Sequence, residues 1–406
     1  MRWSYFNNRF FLLIISIGLI VRLSLAFLPG LTFDMDYWVN WSQRLQQVGF
    51  RNFYTPTERT DYMPGYLYIL YILGNIKNLL HLDNSTYLYF LKLPGILAEL
   101  ILSSVVYLVL LKFKNLKVAN FGLVLICLNP ALIFNSAVWG QIDGLLTLFM
   151  LLAIYAISLN KQFLTALFFG TSIIIKLQAT SIIPALSLYL FKSFPKISSL
   201  KIFLISLALV LFFSFPFFGN DVFFDLLNHV QRTAREYPYN SLSAYNLWGI
   251  LGFWIEDSNR FLNIVYKSWG IFLYLTFWAI VIFSYMKKNL NIYTLSSLAT
   301  LSFYFLPTRV HERYLYPALV FLLISSLISK SKILLTLFII LSLFHFLNLL
   351  HVYIKYNGHL FILPNYLNSL YQFLEGNIRL ISLALMMLFI LITILILKSN
   401  YVKKAF

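Results

Sequence analysis

Five groups of polar residues interrupt an otherwise apolar chain, and each offers residue types that chemistry needs. The first is Phe33-Asp34-Met35-Asp36-Tyr37-Trp38-Val39-Asn40-Trp41, followed by Asp61-Tyr62-Met63-Pro64-Gly65-Tyr66. Carboxylates at i and i+2 suit a divalent cation or a base acting on a hydroxyl. The same residues suit an interfacial helix start, where Asp meets the helix dipole and Trp and Tyr form an aromatic belt. The second group joins Asn129-Pro130 to Trp139-Gly140-Gln141-Ile142-Asp143-Gly144. Its glycines permit close backbone approach, and Gln141 and Asp143 offer sugar-type hydrogen bonds; a helix-turn-helix capped by Asp143 would use the same residues.

The third group is Lys176-Leu177-Gln178 with Pro184. A lysine at the bilayer centre costs about 2.5–3.5 kcal/mol, so it marks a wet or anionic site unless it snorkels to the interface. The fourth is Pro307-Thr308-Arg309-Val310-His311-Glu312-Arg313-Tyr314. Arg309, Arg313 and His311 make a fork for phosphate, with Glu312 orienting a neighbour. An Arg pair facing lipid headgroups is the plainer use. The fifth lies in the stretch 219–260, where His229, Arg232 and Arg235 stand at helical spacing ahead of Ala244-Tyr245-Asn246-Leu247-Trp248-Gly249. A headgroup-facing helix accounts for that basic face. His345, His351 and His359 fit no familiar zinc spacing.

The elements that hold these groups follow from composition. Of 406 residues, 60% are hydrophobic and 11% charged, with mean hydropathy +0.79. A soluble chain carries about a quarter charged residues, so this one is expected to be a membrane helix bundle. The lone Cys127 excludes an intrachain disulfide. The net charge of +17 sits in short clusters between apolar runs, the pattern of inner-face loops and not of a nucleic-acid surface.

Twelve crossings are expected, at 10–28, 87–111, 118–135, 143–159, 163–175, 178–192, 200–216, 264–285, 291–306, 314–329, 333–350 and 379–397. The first is read as a span despite the signal-like Ser24-Leu25-Ala26. Arg2 and Arg9 and the lysine clusters Lys112/Lys114/Lys117, Lys192/Lys196/Lys201, Lys287/Lys288, Lys330/Lys332 and Lys398/Lys403/Lys404 belong on the cytoplasmic side. Every carboxylate except Glu99 falls in or beside the opposite loops. Parity then keeps 65–80 from crossing fully. The expected architecture is one all-α, polytopic domain over 1–406 with helical extracytoplasmic loops, the first at 29–64.

Taken together, the motifs resemble those of GT-C-type integral-membrane glycosyltransferases. The likeness is to bacterial relatives of lipid-linked-oligosaccharide glucosyltransferases and of glycosylphosphatidylinositol mannosyltransferases. It rests on Asp34 to Trp41, Asp61-Tyr62-Met63-Pro64-Gly65-Tyr66, Asn129-Pro130 to Asp143, Lys176 to Pro184 and His311-Glu312-Arg313-Tyr314. Met63 replaces the first of two prolines usual after Asp-Tyr. The resemblance implies inverting transfer of a hexose, mannose or glucose, from a polyprenyl-phosphate sugar to a glycan, lipid or protein acceptor. It places the reaction on the extracytoplasmic face of the cell membrane.

The residues agree with that chemistry. Such a donor brings its own good leaving group, so the protein must supply a base and positive charge for the departing phosphate. Asp34 matches the family's first-loop base by its distance to Trp41, with Asp36 second. Lys176, His311, Arg313 and Arg309 are the phosphate candidates, and Asp61, Tyr66, Gln141, Asp143, Gln178, Asn246, Trp248 and Glu312 the substrate-binding ones. No cofactor is required outright; a divalent cation between Asp34 and Asp36 is the one candidate. The alternative class is a transporter or flippase of lipid-linked glycans, which predicts charge near mid-membrane in both halves and an internal repeat. The polar groups gather instead on one face, and no repeat is visible.

Overall fold

The computed structural model describes residues 8–55 and 60–398; Arg2, Lys403 and Lys404 lie outside them. The described chain is helical almost throughout. It runs α1 (Arg9–Leu25), α2 (Thr32–Val48), α3 (Pro64–Leu79), α4 (Asn84–Phe113), α5 (Leu116–Cys127), α6 (Pro130–Ile133, continued by π-helical Phe134–Trp139), α7 (Asp143–Ser158), α8 (Gln162–Ile175) and α9 (Ile183–Ser193). It continues through α10 (Lys196–Phe218), α11 (Val222–Glu236), α12 (Tyr266–Lys287), α13 (Ile292–Phe305), α14 (Tyr316–Ser329), α15 (Lys332–Asn357), α16 (Asn365–Gly376) and α17 (Ile378–Lys398). Four two-residue strands complete it: β1 (Ser241–Leu242) pairs in parallel with β4 (Val310–His311), and β2 (Arg260–Phe261) pairs antiparallel with β3 (Ile264–Val265).

Local sequence sets the breaks. Asn8, Asn115, Asn129, Asn291 and Ser331 each accept a backbone N–H in the first turn of the helix they precede. Pro64, Pro130, Pro184 and Pro317 fall in first turns, where no N–H is missed.

A helix lies over each of the twelve apolar segments, but their lengths differ widely. Among the described residues six helical stretches are long and apolar enough to cross a membrane, or seven if α5 and the segment Pro130–Trp139, bent by 43°, form one span. They mark the chain as a membrane protein. The helices α7, α8 and α13 are only 14 to 16 residues long, so twelve full crossings do not follow from length. α7 and α13 are buried among other helices on most sides, which lets short helices persist where neighbours satisfy them.

The lysine-rich ends gather. Lys288 Nζ donates to the Leu397 carbonyl at the end of α17, 2.7 Å away. Lys192 reaches the Tyr285 carbonyl of α12, and Asn8 meets Asn120 of α5. At the other end, α2 and α3 run side by side in the same direction, Trp38 against Tyr66 and Ser42 on the Leu70 carbonyl.

Candidate active site

The connection from α6 to α7 builds one wall. The helix widens over Phe134–Trp139 and stops at Gly140, whose φ of 94° favours glycine. Gly95 of α4 faces the Gln141 carbonyl so closely, 2.7 Å from an ideal Cβ, that only glycine lets the strand of chain lie there. This turn aims two donors at α2. Trp139 Nε1 and Gln141 Nε2 both donate to Asp34 Oδ2, at 2.7 and 2.6 Å. Among the described residues no donor reaches Oδ1. Tyr62 OH donates to Gln141 Oε1 at 3.1 Å, and burial holds that phenol well above its ordinary pKa, so it remains a donor.

Asp34 lines a cavity of about 590 Å³. Tyr37, Trp38, Trp41, Asp61, Tyr62 and Trp139 form its near wall, and Glu236, Tyr237, Tyr239, Ser243, Trp254, His311, Glu312, Arg313 and Tyr356 the far one. The far wall is fixed by the β1–β4 ladder, which ties Leu242 to His311. Arg313 Nη1 donates to Glu312 Oε1 at 2.9 Å, and His311 Nδ1 lies 3.4 Å from the same nitrogen. Among the described residues Arg313 Nε, itself buried, has no hydrogen-bond partner. A guanidinium and an aspartate with one unbonded oxygen therefore line the same cavity.

Below the cavity lies a buried layer of charge. Lys176 Nζ meets Asp143 Oδ1 at 2.7 Å between the rings of Tyr62 and Tyr314, and Asn135 donates to Asp143 Oδ2. Deeper still, Arg22 Nε pairs with Glu99 at 2.8 Å, and Ser136 and Tyr316 also donate to that carboxylate. The sequence reading picked out neither Arg22 nor Glu99 as a site residue.

The residues expected at the site separate into two groups. Asp34, Asp61, His311, Glu312 and Arg313 line the cavity, and Gln141 touches it through Asp34. Lys176 and Asp143 do not reach it; each saturates the other, because an unpaired charge there would be costly. Gln178 holds the Tyr314 carbonyl and Tyr66 packs tilted against Trp38, both buried. Asn246 and Trp248 close a buried turn on the carbonyls of Tyr304 and Leu306. Arg309 is spent on Asp257, at 2.6 and 3.0 Å.

Asp36 is exposed. Residues i and i+2 of a helix point about 200° apart, so Asp34 and Asp36 do not converge on one cation. Among the described residues no cluster of three or more His, Cys, Asp or Glu is grouped for a metal. Tyr237, Tyr239, Trp254, Glu236 and Tyr356 were not foreseen. They come from long loops and helix ends that only the fold brings to the rim.

With this geometry in place, the family comparison is decisive. A sequence model of glycosyltransferase family 87 matches residues 62–307, more than half of the chain. The chain belongs to glycosyltransferase family 87. Among curated proteins nothing matches it. Membership makes this family 87 protein a transferase of sugars, which agrees with the GT-C-type resemblance read from its motifs. The match begins at Tyr62 and ends at Pro307. Asp34, His311 and Arg313 lie outside it and rest on their geometry.

Proposed function

We propose that this glycosyltransferase moves a hexose, mannose or glucose, from a polyprenyl-phosphate carrier to a hydroxyl of a glycan, lipid or protein, inverting the anomeric carbon. The observation that carries the reading is that Asp34, with one carboxylate oxygen unbonded among the described residues, and the Arg313 guanidinium line the same cavity. Trp139 and Gln141 bond only Oδ2, so Asp34 is oriented without being used up. The acceptor hydroxyl gives its proton to Oδ1 as its oxygen forms the bond to C1. The C1–O bond to phosphate breaks on the opposite face, and the polyprenyl phosphate leaves with the electron pair. Arg313, with His311 beside it, faces the charge that grows on the leaving oxygen. Low leaving-group basicity removes the need for a general acid.

A donor dissolved in the bilayer suits a cavity at one end of a membrane bundle. The lysine distribution supports a reading with that end outside the cell membrane, both termini inside, twelve crossings made partly by short helices, and α3 not crossing. Asp61 and the aromatic walls would hold sugar. The test is single-turnover transfer from a polyprenyl-phosphate hexose in nanodiscs, with the product's anomeric configuration read by NMR. Inverted product, lost in Asp34→Asn, is the expected result. Retained configuration, or transfer only from a nucleotide sugar, would overturn the reading.

A further inference from the structure

A second cleft of about 390 Å³ stands behind the catalytic cavity, lined by Arg51, Tyr54, Thr55, Phe217, Asp225, Asn228 and Arg232 among others. Arg232 of the basic helix α11 is exposed and stands at the lining of this cleft. Arg232 Nη1 donates to the Thr55 carbonyl at 3.2 Å, and Nη2 lies 3.4 Å from His229 Nδ1. His229 Nε2 lies 3.1 Å from the Tyr62 carbonyl, which can only accept, so Nε2 carries the proton and Nδ1 accepts from Arg232. The guanidinium is therefore fixed on both sides by neutral groups.

Arg51 is exposed, and its guanidinium lies against Gly219, whose φ of 68° favours glycine. Among the described residues neither Arg51 nor Arg232 forms an ion pair; Asp225, at the mouth, bonds neither.

The helices that contribute to the cleft also carry exposed aromatics: Phe223 and Phe224 on α11 are 49% and 66% exposed, and Phe212 on α10 is 73% exposed. Exposed aromatic side chains on the same helices as the cleft's residues, together with its guanidiniums, match the boundary between acyl chains and phosphates.

We propose that this cleft binds the phosphate of an anionic membrane lipid, gripped by Arg51 and Arg232 while Phe223 and Phe224 enter its acyl region. Arginine forks suit phosphate oxygens, and the lipid source follows from the exposed aromatics on the same helices. The site stands apart from the donor phosphate position, on the far side of Tyr54 and His229, both of which hold the Tyr62 carbonyl.

The experiment is native mass spectrometry of the full chain in detergent, titrated with phosphatidylglycerol, with a neutral diacylglycerol, and with inorganic phosphate. One phosphatidylglycerol should be retained against a large excess of the neutral lipid, and Arg51→Gln/Arg232→Gln should weaken retention about tenfold or more. Asp225→Asn should strengthen it, a change in the direction that misfolding cannot give. Arg51→Gln alone, at an exposed position, keeps the test valid if the double variant does not fold. Equal retention by the arginine variants, or equal retention of the neutral lipid, would overturn the site. Binding of inorganic phosphate with no preference for the lipid would overturn the lipid source.

Discussion

Asp34 and Asp143 are both aspartates in helical first turns close to the same connection, yet their surroundings give them opposite work. Asp34 receives two hydrogen bonds on one oxygen and, among the described residues, none on the other. Asp143 has both oxygens engaged, by Lys176 and Asn135, and is fully buried. The rim carboxylate is oriented and keeps one oxygen unbonded; the floor carboxylate has both oxygens engaged and ties α7 to the end of α8. A polar side chain in a membrane bundle is thus no marker of chemistry until its remaining lone pairs have been accounted for.

The comparison breaks first at Asp34. Asp34→Asn keeps size and hydrogen-bonding ability but loses basicity, so turnover should fall about 10²–10⁴-fold while donor binding and thermal stability stay near those of the parent. Loss of stability in step with activity would make Asp34 a second structural carboxylate. The floor should behave the other way. Lys176→Met strands the Asp143 charge and should cost about 3–5 kcal/mol of stability, whereas Lys176→Met with Asp143→Leu should recover much of it. Thermal or denaturant unfolding in detergent checks both. A stable Lys176→Met whose only defect is donor affinity would return Lys176 to the phosphate-binding group.

This division explains what was legible in the chain. Asp34, His311, Glu312 and Arg313, which line one cavity, stood out because unusual residue types crowd into short segments, and short segments stay together in any fold. The helical architecture was readable from apolar runs. What could not be read is whether a charge meets a partner far along the chain: Lys176 finds Asp143, Arg309 finds Asp257, Arg22 finds Glu99. Those pairings depend on helix packing, which leaves no local signature. Span count suffered for a similar reason, since a short apolar run can be a crossing or a buried segment, and hydropathy does not separate them.

The far wall sharpens the contrast. Arg313 donates one Nη to Glu312 and, among the described residues, its buried Nε has no partner, so its geometry matters beyond its charge. Arg313→Lys should weaken donor affinity by about 1.5–3 kcal/mol, the range for a lost charge-assisted contact. Glu312→Gln removes only the orienting charge and should cost less than Arg313→Ala. Donor affinity and single-turnover rate in nanodiscs separate these. An Arg313→Ala protein that binds and turns over like the parent would reduce this segment to a headgroup anchor.

The smallest effect is expected at Asp36, and it is informative because Asp36 is so near Asp34. Both lie in the first turns of α2, and in sequence they look like one site. The helix turns them about 200° apart, leaving Asp36 exposed while Asp34 faces the cavity. To share a cation, the two carboxylates would have to unwind the start of α2. That start is pinned by hydrogen bonds from Thr32 to Asn357 and from the Leu31 N–H to the Trp139 carbonyl. Asp36→Asn should therefore change turnover by no more than about twofold, the scatter of exposed substitutions. Turnover should also be indifferent to a chelator in the parent. An Asp36→Asn loss as deep as that of Asp34→Asn, relieved by excess divalent cation, would show that α2 opens during catalysis and that the pair acts together.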